Sequence, residues 1–187
     1  MASQSRPLHH YTYEEYLRAA RDSAIKLEFA DGEIHAMAGG PKRHNALALR
    51  VGAALHAGLR PGCIAFQSDQ RVRIAAANKA VYPDVTVVCG AIETDAIDPE
   101  TIVNPTLIVE VLSPSTEEYD RGEKWLAYQS VPSLREYVLV SQRHSRVERH
   151  RRLPSGAWEY LDATTGTIDF VTGSRLDLED LYRELPD

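Results

Sequence analysis

Two carboxylates sit where carboxylates are costly. Glu110 stands in the middle of Leu107-Ile108-Val109-Glu110-Val111-Leu112-Ser113, and Asp84 near the start of Tyr82-Pro83-Asp84-Val85-Thr86-Val87-Val88-Cys89. Apolar runs of this length read as buried strands. An unpartnered carboxylate there costs on the order of several kcal/mol, so Glu110 must be paired, protonated or bound to a metal. Side chains alternate along a strand, so Ile108, Glu110 and Leu112 share one face. Asp84 lies where its strand begins and a sheet can splay to admit an ion. Two carboxylates on neighbouring strands, with the backbone carbonyl of Val111, supply hard oxygen ligands that suit Mg²⁺ or Mn²⁺. A metal so placed polarises a phosphodiester and lowers the pKa of a water nucleophile. An amine nearby would orient that water and stabilise the developing charge.

The elements that must position these groups can be read in order. Residues 1–10 read as a loose arm. Thr12-Tyr13-Glu14-Glu15 opens a short helix to about Ala20, with Thr12 and Glu15 at capping-box spacing. Ile25–Phe29 and Glu33–Met37 flank Asp31-Gly32, a strong hairpin signal, with Ile25, Leu27 and Phe29 on one face and Lys26 and Glu28 on the other. After Gly39-Gly40-Pro41, Leu47, Val51, Leu55 and Leu59 recur at helical spacing over Lys42–Arg60. Cys63–Phe66 and Arg71–Ile74 are strand-like, and Ala75–Lys79 reads as a loop. The acidic strand from Val81 to Cys89, a surface excursion to Pro105 and the Glu110 strand follow. Ser115 and Glu118 have capping-box spacing and start a helix that reaches about Ser130. Glu136–Val140 and Arg146–His150 are strands. Trp158–Leu161 and Ile168–Val171 read as an antiparallel pair, and Leu176–Leu185 as a closing acidic helix. These elements describe one α+β domain over 1–187, a mixed sheet flanked by helices.

Composition narrows the class. With 43% hydrophobic and 26% charged residues the chain is globular rather than disordered. No apolar run approaches the roughly 20 residues of a membrane span, and the first residues lack the apolar core of a signal peptide, so a cytoplasmic protein without a membrane partner is expected. Cys63 and Cys89 lie far apart among apolar residues and read as two reduced core thiols. A net charge of −6 gives no global attraction to nucleic acid and counts against a plain DNA-binding protein. It leaves room for a local basic face, or for an acidic site offset by bound cations. An aromatic content of 7% disfavours the other chemistry that two carboxylates allow, glycoside hydrolysis.

The order Pro83-Asp84, then Glu110 in an apolar strand, then a helix, resembles the PD-(D/E)xK restriction-endonuclease-like superfamily. More motifs resemble one branch, the Uma-two family of endonuclease-like proteins. They are Glu28…Asp31-Gly32-Glu33-Ile34, Arg43-His44, Arg71-Val72-Arg73-Ile74, Tyr82-Pro83-Asp84-Val85, Asn104 to Thr116, Tyr119-Asp120-Arg121-Gly122-Glu123-Lys124 and Pro132 to Tyr137. The likeness covers roughly residues 10 to 185. It implies a restriction-endonuclease-like core and Mg²⁺-dependent (or Mn²⁺-dependent) phosphodiester hydrolysis. The expected substrate is nucleic acid, DNA first, and a homodimer is expected where a duplex is cut. The superfamily pattern places a lysine two residues after the acid, where this chain has Leu112. The resemblance implies that the lysine has moved to the following helix. Lys124 is the candidate, since Asp120, Lys124 and Tyr128 form one helical stripe; the alternative is a surface pair with Asp120.

Four further groups have two readings each. The resemblance makes Glu28 a further acid at the metal site; the alternative is an exposed strand residue paired with Lys26 or a cross-strand partner. His44, near a helix start that favours anions, could meet a scissile phosphate or metal-bound water, or be a solvated first-turn histidine. Asp69 reads as a turn aspartate rather than a cleft residue. The basic stretch Arg143–Arg152 reads as a charged edge strand rather than a phosphate track. Leu112 and the acidic charge also motivate a non-catalytic alternative, a nuclease fold kept as a DNA- or protein-binding module.

Overall fold

The computed structural model describes residues 9–37 and 39–186, so most of the expected arm lies outside the described residues. In chain order the elements are α1 (Tyr13–Asp22), β1 (Leu27–Ala30), β2 (Glu33–Ala36), α2 (Lys42–Ala57), β3 (Cys63–Gln67), β4 (Val72–Ile74), β5 (Lys79–Val81), β6 (Val85–Cys89) and β7 (Leu107–Leu112). Then come α3 (Glu117–Tyr119), a π-turn (Asp120–Lys124), α4 (Trp125–Gln129), β8 (Glu136–Ser141), β9 (Val147–Arg152), β10 (Trp158–Ala163), β11 (Thr167–Asp169), β12 (Arg175–Asp177) and α5 (Leu178–Tyr182).

A six-stranded mixed sheet, ordered β10-β9-β8-β7-β6-β3, carries the site. Its strands pair antiparallel except β7 and β8, which run parallel and are joined across one face by the α3–α4 helix. A parallel strand in the middle of a sheet is covered on both faces, which is why Leu107–Leu112 is apolar nearly throughout and buried at every position. Its residues divide by alternation. Leu107, Val109 and Val111 pack with Leu47, Val51 and Leu55 of α2. Ile108 and Leu112 pack on the other side with Tyr128 of α4 and with Val72, Ile74 and Val81 of a second sheet. Glu110 therefore faces the layer between the main sheet and the helix that follows it.

The second sheet, β2-β1-β5-β4, is antiparallel and forms the opposite wall. Its hairpin turns through Asp31 (φ 51°) and Gly32 (φ 92°), the pair of left-handed conformations that a two-residue turn demands. Phe29 is buried against Tyr16 and Leu17 of α1, whose capping box at Thr12 and Glu15 forms as expected. Glu28 is thereby turned the other way.

The structure revises several expectations. Cys63 and Cys89 are not free thiols: they face each other across β3 and β6 as a disulfide, with Cα atoms 4.0 Å apart. Their amides bond elsewhere, to Arg60 O and Thr106 Oγ1, so the pair occupies the close, non-hydrogen-bonded position of the ladder. The Ser115–Glu118 capping box does not form; Ser113 Oγ instead meets the hydroxyls of Ser115 and Thr116, and the helix starts later. α2 ends at Ala57, short of Arg60, with Gly58 as its C-cap; a side chain at Gly58 would meet the backbone of Ser174 at 2.9 Å, which is why this position is glycine. Lys79 belongs to a strand rather than a loop. The basic segment is no edge: β9 lies between β8 and β10, and Arg146, Arg149 and Arg151 pair with Asp162, Glu159 and Glu136. β10 pairs with β9, β11 pairs with β12, and the last helix is only Leu178–Tyr182, because Arg175–Asp177 is needed as a strand.

Candidate active site

Asp84 lies just before β6, where the β6–β7 ladder stops at Val85 and Val109. Its side chain takes over from the missing strand partner: Oδ2 accepts the Val111 N–H at 2.7 Å. The same oxygen lies 3.3 Å from Nε2 of His44, in the first turn of α2. Both side chains are mostly buried. The Asp84 contact is the main cause that raises the His44 pKa above its ordinary value, against the opposing effect of burial. Nδ1 of His44 is buried without a hydrogen-bond partner among the described residues.

Glu110 is 4% exposed. Its Oε1 lies 3.0 Å from Nζ of Lys124 and accepts the Tyr128 hydroxyl at 3.1 Å. Lys124 Nζ is also 3.3 Å from Asp120 Oδ1. The stripe Asp120–Lys124–Tyr128 therefore points inward onto the Glu110 strand, with Lys124 as the last residue of the π-turn. Such turns recur at functional sites. Burial works against the Lys124 ammonium, yet Glu110, Glu28 and Asp120 together hold its pKa well above the usual lysine value. Burial pushes the Glu110 carboxyl well above the usual carboxylate range; Lys124 opposes this, while Asp120 and Asp84 add repulsion.

Glu28 projects from β1 across the same space, and its Oε1 accepts the Tyr82 N–H at 2.9 Å. It is not paired with Lys26, which bonds instead to Ser68 and Asp69. Glu28, His44, Asp84, Glu110, Val111 and Lys124 all line one cleft of about 1120 Å³ between the hairpin sheet and the α3–α4 helix. Asp69 lies outside it, in a turn.

The cleft has more acid than base. Asp31, Asp120 and Glu123 also line it, while Lys79 and Lys124 are its lysines. The hydrogen bonds of Asp84 and Glu110 use one oxygen each, so Oδ1 and Oε2 take no part in them. Among the described residues no group of three or more His, Cys, Asp and Glu side chains is arranged to hold a metal by itself. The smaller set of two carboxylates and the Val111 carbonyl has the hard-oxygen chemistry that Mg²⁺ would take with water completing its sphere.

Sequence reasoning missed Lys79 and the anchoring of Glu28 by the Tyr82 amide. Nothing local marks either. A single lysine beside Asn78 looks like a turn residue until β5 pairs with β1 and carries it to the cleft.

A mixed sheet with an acid on each of two adjacent segments, and a lysine brought to one of them, is the arrangement that the restriction-endonuclease-like resemblance implies. Comparison with known families makes this specific: residues 13–184 match the Uma2 model, described as "Putative restriction endonuclease", and the chain belongs to that family. It is 34% identical over 180 residues to the uncharacterized protein slr1290 of Synechocystis, covering 96% of this chain and 90% of that one. A second Synechocystis protein, sll1609, is 35% identical over 149 residues, covering 79% and 84%. Among solved structures, a nuclease-titled member of DUF820 from Anabaena variabilis superposes with a TM-score of 0.72 at 17% identity, covering 91% of this chain and 97% of that one. That likeness establishes the fold.

Proposed function

We propose that the protein is a Mg²⁺- or Mn²⁺-dependent nuclease that hydrolyses phosphodiester bonds of nucleic acid, DNA being the first substrate to test. The observation that carries this reading is the meeting of Lys124 with Glu110 beside Asp84, in a cleft with a surplus of carboxylates. The surplus favours a bound cation, and the two carboxylate oxygens outside the hydrogen bonds offer it ligands together with the Val111 carbonyl. When bound, the cation supplies Lewis acidity toward the phosphate and a more acidic water.

The protein's own groups have separable tasks. The Val111 amide and His44 fix the Asp84 carboxylate in one orientation. Tyr128 and Lys124 fix that of Glu110. The Lys124 ammonium, held charged by its acid neighbours, orients the attacking water and offsets charge that develops on the phosphate. Glu28, anchored through Tyr82, adds a further carboxylate to the same space. His44 stands at the Asp84 edge, where a scissile phosphate would approach.

The non-catalytic alternative draws on Leu112 in place of the usual lysine and on the acidic net charge. The ammonium of Lys124 at Glu110 answers the first ground, since the charge is present although it comes from another element; the cleavage assay decides between the two readings. Two copies would be needed to cut both strands of a duplex, and sedimentation of the protein with and without duplex tests for that dimer.

Asp84→Ala should abolish cleavage and Mn²⁺ binding while circular dichroism stays that of the wild type. If the wild-type protein with Mg²⁺ or Mn²⁺ cuts no DNA or RNA of any form, the nuclease reading fails.

A further inference from the structure

The two lysines of the cleft stand in opposite situations. Lys124 is held between two buried carboxylates, Glu110 and Asp120, at 4% and 2% exposure. Lys79 is itself buried, at 5% exposure, but its partners are not. Its Nζ lies 3.2 Å from Asp31 Oδ2, at the hairpin turn, and 3.5 Å from Glu123 Oε2, in the π-turn. Those side chains are 67% and 72% exposed. Both ammonium groups lie against one ring, Tyr119, at 5.4 Å for Lys79 and 5.8 Å for Lys124.

This difference decides which lysine can change partners. Taking Lys124 away from Glu110 would leave a carboxylate buried and uncompensated, which is expensive. Asp31 and Glu123 already stand in water, where an ion pair contributes little, so they can release Lys79 cheaply. The lysine meanwhile is fixed by its buried stem and by Tyr119. A polynucleotide must enter a cleft whose other charges are mostly acidic, and it needs cations to receive its phosphates.

We propose that Lys79 is a second phosphate-binding residue of this cleft, exchanging Asp31 and Glu123 for the phosphate next to the one that Lys124 serves. Asp31 and Glu123 hold the ammonium in place until then. The proposal rests on the nuclease reading, because it needs a polynucleotide in the cleft.

The test is binding of a short single-stranded DNA oligonucleotide, followed by fluorescence anisotropy over a salt series. Ca²⁺ is present as a hard cation for the carboxylates. Cleavage with Mg²⁺ and thermal unfolding are measured alongside. Lys79→Gln should weaken binding about five- to tenfold and reduce the steepness of its salt dependence by about 0.7, the share of one phosphate contact on a single strand. It should raise KM with little change in kcat, and Lys79→Arg should restore both affinity and salt slope. Asp31→Asn should tighten binding more than Glu33→Gln, which removes an equal charge from the same hairpin. That gain should vanish when Lys79→Gln is added.

If Lys79→Gln binds and cleaves like the wild type and only melts earlier, Lys79 is a structural pin; the proposal is overturned and the nuclease reading stands. If Lys79→Gln does not fold, Asp31→Asn decides, and binding no tighter than that of Glu33→Gln overturns the proposal. If the wild type neither binds nor cleaves, both readings fall together.

Discussion

The ammonium of Lys124 lies 3.0 Å from Oε1 of Glu110, although the lysine belongs to the π-turn of the helix that leaves the Glu110 strand. Leu112, the strand residue on the same face as Glu110, packs instead into the apolar layer with Ile108 and Tyr128. The charge expected two residues along the strand is thus delivered from the crossover helix. The strand keeps its packing, and the acid keeps its cation.

That relationship predicts two effects of Lys124→Met, which preserves the bulk of the stem. Breaking a buried pair from one side costs about 3–5 kcal/mol, lessened if Glu110 takes up a proton. Loss of the charge at the phosphate should slow single-turnover cleavage by about 10²-fold or more. Urea unfolding and quenched-flow cleavage measure these separately. A cleavage rate close to that of the wild type would exclude Lys124 from the chemistry.

Glu28→Gln separates a ligand from an anchor. The amide oxygen can still accept the Tyr82 N–H, so stability should change by no more than about 0.5 kcal/mol. If the negative charge serves the cation site, Mn²⁺ affinity should fall by about 10- to 100-fold. Calorimetric titration with unchanged affinity would reduce Glu28 to a brace for the Tyr82 backbone.

The Cys63–Cys89 bridge should matter to stability and not to activity. Its cysteines are 26 residues apart in sequence, and a loop of that size corresponds to about 3–4 kcal/mol in the chain-entropy account. Asp84 sits before the first residue of β6 and Cys89 is the last. The Cys63→Ala/Cys89→Ala protein should therefore unfold at lower urea with an unaltered cleavage rate at low temperature. Thiol titration of native protein, before and after reductant, checks the bridge directly.

Acid sensitivity should come in part from His150. Its ring stacks on Trp125 at 4.2 Å and lies 5.1 Å from Tyr160. Burial lowers its pKa below the ordinary 6.5; Glu148 opposes this, and Arg121 adds to it. The unfolded chain then binds the proton more readily. The stabilisation is complete above about 6.5 and is lost as pH falls through the depressed folded value. His44 works the other way, because its folded pKa is raised: its contribution is full below that ordinary value and lost as pH rises. His150→Phe should therefore flatten the acid side of the stability profile and leave the neutral side alone. Urea midpoints across this range measure it, and an unchanged acid slope would refute the assignment.

Much of this was legible in the sequence, wherever a signal is local. The capping box of α1, the Asp-Gly hairpin and the α2 stripe each depend on neighbours within a few residues. Apolar runs after Asp84 and around Glu110 marked two buried strands, although Val81, read as part of the first, belongs to β5 of the other sheet, and the cost of burying a carboxylate marked the candidate site. The failures also share a cause. The register that joins Cys63 to Cys89, the pairing that carries Lys79 to the cleft and the partners of β9 to β12 depend on residues distant in sequence, and no local pattern encodes them. The same holds for Lys124. Its stripe with Asp120 and Tyr128 could be read from spacing, but whether that stripe faced water or Glu110 was settled only by the packing of the crossover helix on the β7 face. The sequence by itself determined which residues could do chemistry; the tertiary structure decided which of them meet, because sheet register and helix packing set distances that periodicity leaves free.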